Sequence, residues 1–209
     1  MAAIGMLHMV AARITQEDPL PEYSTGFVIG PSVEADITFN YNDNPDQGDN
    51  VTQDDDRGCN GYSGTIENNF LTQEVLEQLY GMKHRTDEGS VGISVMSDED
   101  PPFVGFGYIK WAKNNGVESY RAFWFYKAKF TMGSYANGRT KPRDGVEWQH
   151  DTSSFTGYAV TLPISNDTSL KFFETATFAT EAAAKAWLNN SEHAHISTSS
   201  SSSSSGTGT

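Results

Sequence analysis

Residues 33–41, VEADITFNY, alternate strictly. Val33, Ala35, Ile37, Phe39 and Tyr41 fall on one side, and Glu34, Asp36, Thr38 and Asn40 on the other. A period of two predicts a strand with one buried face. Residues 4–14 predict an earlier strand, apolar on both faces, and residues 61–70, GYSGTIENNF, a returning one. Residues 15–32 are punctuated by Pro and Gly and predict a loop. Residues 91–96, VGISVM, alternate again.

The clearest hairpin spans residues 103–112 and 117–130, joined by Asn114-Asn115-Gly116. Asn-Gly is a strong two-residue turn signal. Strict alternation puts Tyr120, Ala122, Trp124, Tyr126, Ala128 and Phe130 on one face of its second arm. Arg121, Phe123, Phe125, Lys127 and Lys129 share the other. A face mixing aromatics with bases is unusual on a solvated sheet. Phe123 and Phe125 are therefore candidate interface residues, the alternative being packing under the chain's own helices.

Two segments change period. In LTQEVLEQLYG, Leu71, Val75, Leu76, Leu79 and Tyr80 recur at helical spacing, Thr72 is placed to cap and Gly81 to stop. In TEAAAKAWLNN, Thr180 caps, Glu181 and Lys185 pair four apart, and Trp187 and Leu188 anchor. Residues 146–162 predict a strand pair or one bent strand, and 170–178 a last strand. The total is about nine strands and two short helices. That predicts a mainly β chain: an antiparallel β-sandwich or open barrel with one or two flanking α-helices. One domain covers residues 1–190, and 191–209 form a Ser-rich tail too simple in composition to fold alone.

Charge complicates this picture at one place. The net charge is −13, and the first sixty residues hold eleven acids against two bases. Six of those acids, Asp43, Asp46, Asp49, Asp54, Asp55 and Asp56, crowd a long loop at 42–60. So acidic a chain is a poor DNA wrapper, because phosphate binding needs a basic footprint. The loop is also a poor calcium site. With Gly48 at the sixth position of an EF-hand loop, the third and fifth are Pro45 and Gln47, and the twelfth is Asp54 instead of Glu. A basic loop at 137–145 carries Arg139, Lys141 and Arg143. Docking of the acidic loop on the basic loop of a neighbouring copy would fix register, the alternative being a solvated loop.

Candidate chemistry is sparse. Cys59 is the one cysteine and has no local signature of a nucleophile. The histidines fall in no recognised metal spacing, and His193-Ala194-His195 in the tail offers at most an incidental site. Gly105-Phe106-Gly107 lies inside a strand and predicts close backbone approach, not phosphate binding. Asn50-Val51-Thr52 matches a glycosylation acceptor, but MAAIGMLHMVAARI lacks the basic start of a secretory signal and is too short to span a membrane. The reading is a non-enzymatic chain without cofactor or metal. Trp111, Trp124, Trp148 and several tyrosines leave a carbohydrate-binding β-sandwich as the alternative.

The order of pieces is itself informative. ITFNY, GTIENNFLTQEVLEQLYGM, SDEDPPFVGFGY through AFWFYKAKF, VEWQ and EAAAKAWLNN follow in turn. Over about residues 1–190 this resembles the major tail protein, the tail-tube subunit, of long-tailed phages of Gram-positive bacteria. The aspartate-rich loop and the serine tail fall outside the resemblance. It implies a tail-tube fold, made in the host cytoplasm and assembled into the virion as hexameric rings stacked into a tube. It implies contacts with other copies and with tape-measure, terminator and distal tail proteins. DNA would pass through without specific binding, and no membrane is involved. Glu34, Asp36 and Glu118 are the expected lumen acids, a solvated outer face being the alternative.

Overall fold

The computed structural model describes residues 2–17, 20–42, 44–48, 51–56, 58–87, 90–94, 100–134, 136, 149–164 and 167–196. Strand β1 (Ala2–Gln16) opens the chain. The Pro- and Gly-rich stretch after it is not all loop: β2 (Glu22–Tyr23) and β3 (Phe27–Val28) fold back onto β1. β4 (Ser32–Tyr41) leads into β5 (Asn44–Gly48) and β6 (Val51–Asp56), and β7 (Cys59–Asn68) returns beside β4. Helix α1 (Gln73–Tyr80) and the hairpin β8 (Lys83–Asp87) and β9 (Ser90–Ser94) follow. Then come β10 (Phe103–Asn114), β11 (Val117–Met132), β12 (Asp151–Gly157), the pair β13 (Val160–Ile164) and β14 (Asp167–Lys171), β15 (Phe173–Phe178) and α2 (Glu181–Leu188).

Nine strands form one antiparallel sheet, in the order β2-β1-β10-β11-β12-β7-β4, with β3 on β1 and β15 on β11. The sheet coils until β4 touches β1, yet no ladder joins the two, so the barrel stays open. Residues from its two ends therefore face each other across one core. Met9 and Ala11 from β1 share it with Tyr62 and Ile66 from β7, and with Phe106, Phe125 and Phe130. The fold is mainly β and sandwich-like, with two short flanking helices, as the hydrophobic pattern predicts.

Both helices follow their sequence signals. Thr72 accepts the Val75 amide at 3.3 Å, and Gly81 ends α1 at φ 74°. Val75, Leu76, Leu79 and Tyr80 bury one face of α1. The Arg13 guanidinium donates to the Gln78 carbonyl at 2.8 Å and to that of Glu77, so β1 caps the C-terminal end of α1. Thr180 accepts the Ala183 amide at 3.3 Å, Glu181 pairs with Lys185 at 2.6 Å, and Ala184 and Leu188 turn inward.

Strict alternation fails within β11. Val104 pairs with Ala128 but Phe106 with Phe125, so two steps on β10 face three on β11. This bulge at Tyr126–Lys127 reverses the parity of the strand. Ala122, Trp124 and Tyr126 enter a second core under α2 with Val10, Ile109 and Leu188. Phe123 and Phe125 enter the first core, and beyond the bulge Ala128 and Phe130 join them. Lys127 and Lys129 instead turn toward Phe103, 4.2 and 5.3 Å from its ring centre.

Close backbone approach at Gly105 and Gly107 is confirmed. A Cβ on Gly105 would lie 2.5 Å from the Trp124 indole, and one on Gly107 would lie 2.5 Å from the Phe123 carbonyl oxygen. The large indole of Trp124, fully buried, occupies the space these glycines leave.

Candidate functional site

Four strand segments, β4, β7, β12 and the end of β11 beyond the bulge, present one continuous outer face. Register sets three rows across it. Glu34, Glu67 and Thr152 form the first row, and Asp36, Thr65, Ser154 and Thr131 the second. The third holds Thr38, Ser63, Thr156 and Lys129. The intervening positions, Ala35, Ile37, Phe39, Tyr62, Ile66, Phe155 and Phe130, all face the first core. The same alternation that builds that core leaves only hydroxyls and charges outside.

The charges on this face are unbalanced. Glu34 and Glu67 are direct cross-strand partners, an arrangement of like charges that destabilises a sheet. Asp36 lies two residues along the same strand face. Among the described residues none of the three acids has an ion-pair partner. The bases at the opposite corner are already engaged. Lys129 pairs with Asp100, and Lys127 with Glu17 at 2.6 Å. The face therefore presents net negative charge on a hydroxyl-bearing surface.

β4 is also the edge of the nine-stranded sheet. A ten-residue edge without Lys or Pro is open to pairing with another strand. Beside it, Tyr41 is 61% exposed and Leu170 is 68% exposed. They flank a groove lined by Phe39, Cys59, Phe172 and Phe173. Exposed apolar side chains beside an open edge are typical of a surface that meets another protein.

The acidic stretch is not the structureless loop its composition predicts. β5 and β6 form an antiparallel hairpin, with Pro45 opposite Asp55, Asp46 opposite Asp54 and Gly48 opposite Val51. The β4–β7 ladder ends with Tyr41 opposite Cys59, and β5–β6 continues the excursion beyond it. The register explains this order: two arms already held antiparallel need little apolar help to pair further. Extended strands also exclude an EF-hand turn here. Asp46, Asp54, Asp55 and Asp56 lie on this hairpin, while Asp43, Asp49 and the sequon residue Asn50 lie outside the described residues. So do Arg139, Lys141, Arg143 and Trp148.

The remaining sequence candidates separate. Glu34 and Asp36 lie together on the outer face, but Glu118 does not join them. It sits near the β10–β11 turn, paired with Lys113 at 3.3 Å and accepting the Tyr120 hydroxyl at 2.8 Å. The acid that does join is Glu67, which single-strand alternation in TIENN could flag but only cross-strand register could place. Phe125 is 3% exposed and stacks on Phe106 at 4.8 Å, and Phe123 stacks on Tyr108 at 5.4 Å. Both are built into their own chain's core. Trp124 is wholly buried and so is unable to stack on a sugar.

The end of the chain also differs from expectation. Residues 191–194 form turns, and His193 and Ala194 are buried, so the packed part of the chain reaches past residue 190. Among the described residues no group of His, Cys, Asp and Glu is arranged to hold a metal ion, and no helix is long and apolar enough to cross a membrane. No family model matches the chain, and no curated protein matches it significantly.

Proposed function

We propose that this chain is a structural subunit of a phage tail tube, assembling through its sheet edges into rings, hexameric by resemblance, that stack around a DNA passage. The observation that carries the reading is the acid- and hydroxyl-bearing face that ends at the open edge of β4. A tube must hold together and still let a polyanion slide. Carboxylates within a Debye length of about 8 Å at physiological salt repel phosphate. Hydroxyls keep such a wall hydrated without giving it the basic footprint DNA needs. Glu34, Asp36 and Glu67 have these properties, and they sit beside the edge where a neighbour's strand would add.

Strand addition at β4 would supply main-chain hydrogen bonds regardless of side-chain identity, with Tyr41 and Leu170 adding apolar contact. The acidic β5–β6 hairpin then serves as the arm toward another subunit, with Arg139, Lys141 and Arg143 of that neighbour as its proposed counterpart. Exposed pairs contribute only about 0–1 kcal/mol each, so the arm acts through number and repetition. In the virion the subunit would also meet the tape-measure, terminator and distal tail proteins.

Electron microscopy of the concentrated chain, alone and with the other tail proteins, tests the reading. Rings or tubes are the expected outcome, and a chain that stays monomeric in both settings overturns it. Virions carrying Glu34→Lys with Glu67→Lys should assemble but release DNA more slowly. Unchanged release would remove the lumen role of this face and leave the tube assignment standing.

A further inference from the structure

The chain leaves α2 at Asn189 and folds back over itself. The Ala194 amide donates to the Leu188 carbonyl at 3.0 Å, and the His195 amide to that of Asn190 at 2.8 Å. Ala194 is fully buried, and its carbonyl oxygen occupies the place a side chain on Gly26 would need. Residues 189–196 are thus docked against the connection between β2 and β3.

His193 anchors this docking. The residue is 1% exposed, with its ring centre 4.2 Å from that of Trp187 and 5.3 Å from that of Trp124. Nδ1 lies 2.7 Å from the Trp187 carbonyl oxygen, and Nε2 contacts the Glu174 carboxylate. A carbonyl and an ionised carboxylate only accept hydrogen bonds. Both contacts are therefore hydrogen bonds only while both ring nitrogens carry protons. A neutral ring would turn one lone pair onto an oxygen lone pair, with the ring itself shut off from water although Glu174 is only partly buried.

We infer that His193 is a proton-operated latch: doubly protonated, it locks residues 189–196 against β11, β15 and α2, and its deprotonation frees them. The surroundings are consistent from every side. From β15, the Glu174 carboxyl is held below its ordinary range, chiefly by the His193 hydrogen bond and against the effect of burial, with Tyr126 and Lys171 assisting. From β11, burial pushes the Tyr126 hydroxyl well above its ordinary range, and from β2 it does the same to Tyr23, so both stay neutral. Lys171, Glu192 and His195 stand at the rim of the adjoining cavity. From α2, Lys185 and Glu181 act on His8.

The sign follows from the pair. The latch is closed while imidazolium and carboxylate coexist. It opens as rising pH removes the ring proton, and it weakens at the acid end once Glu174 is protonated. His8 also touches the segment, its Nε2 donating to Asn189 Oδ1 at 3.1 Å. Burial lowers its pKa, so it remains neutral to lower pH than an ordinary histidine and does not drive the opening.

Nitrogen NMR of the full chain with labelled histidine, run across pH 5–9, reads the ring directly. Amide hydrogen exchange at Ala194 and His195, corrected for its intrinsic pH dependence, reads the segment. Two protonated ring nitrogens are expected at low pH, with at least a tenfold loss of protection over the interval in which one proton leaves. Tryptophan emission should change over the same interval. H193Q should lack the step and H8Q should keep it. A singly protonated ring throughout, or protection indifferent to the ring's titration, overturns the latch even if H193Q fails to fold.

Discussion

Among the described residues, two long antiparallel strand pairs obey the same backbone rules and are held in different ways. In the middle of β10–β11, ahead of the bulge, both faces are buried. Phe106 and Phe125 point into one core, and Ile109 and Trp124 into the other. Its turn is closed by Asn115 at φ 48° and Gly116 at φ 83°, the geometry of a tight primed turn. In β4–β7 only one face is buried, the other carries hydroxyls and acids, and the outer edge is open. The first hairpin is specified by packing on both sides. The second is specified on one side only, which leaves its outer positions free to be set by whatever meets them. Like charges tolerated directly opposite each other are a sign of such freedom.

The widest separation between the two hairpins should come from Trp124→Ala. Removing a buried indole leaves a void beside two glycines, and such truncations cost about 3–5 kcal/mol. Denaturant unfolding should show the midpoint falling accordingly. A loss below about 1 kcal/mol would mean that the second core is not holding the β10–β11 hairpin.

How much of each hairpin is legible in the sequence follows the same division. Asn115-Gly116 and the apolar arms announce β10–β11, and Gly105 and Gly107 announce a close neighbour, though not that it is Trp124. The bulge is hidden, because Tyr126 suits either side of a strand and the count of two continues past it undisturbed. For β4–β7, alternation gives Glu34 and Asp36 their face. Register gives Glu34 its partner Glu67, and register is a property of two strands at once. The acidic hairpin is illegible for a related reason. Its pairing extends a ladder already formed by β4 and β7 and does not come from apolar residues of its own. His193 is masked by composition, since a serine-rich neighbourhood predicts no packing, and what buries this ring is a surface built by Trp124, Trp187 and Glu174.

A middle-sized effect should come from Gly64, on the core side of β7. A Cβ there would collide with the Asp36 carbonyl oxygen and meet the Phe155 ring at 2.8 Å. The carbonyl belongs to the backbone and cannot rotate away, so Gly64→Ala must push β4 outward. Overpacking of this kind costs about 1–3 kcal/mol. Hydrogen exchange should show the loss concentrated in β4 and β7, with β10–β11 protection retained until global unfolding. A loss spread evenly over both hairpins would mean that they unfold as one unit and the division between them is only geometric.

The smallest effect is the most specific. Glu67→Gln keeps the shape of the side chain and removes one of two facing charges, so the chain should become more stable by roughly 0.2–1 kcal/mol. Glu34→Gln should give a similar gain, and the double variant should gain less than the sum, because the repulsion vanishes with the first charge. Near 1 M salt, where the screening length falls to about 3 Å, the gain should largely disappear. A gain that is additive and indifferent to salt would show that these two acids do not sense each other. If the coupling is present, the native face carries a repulsion that one neutral residue would relieve. The fold itself then has no use for both acids, which is what a role for this face toward a partner outside the chain requires.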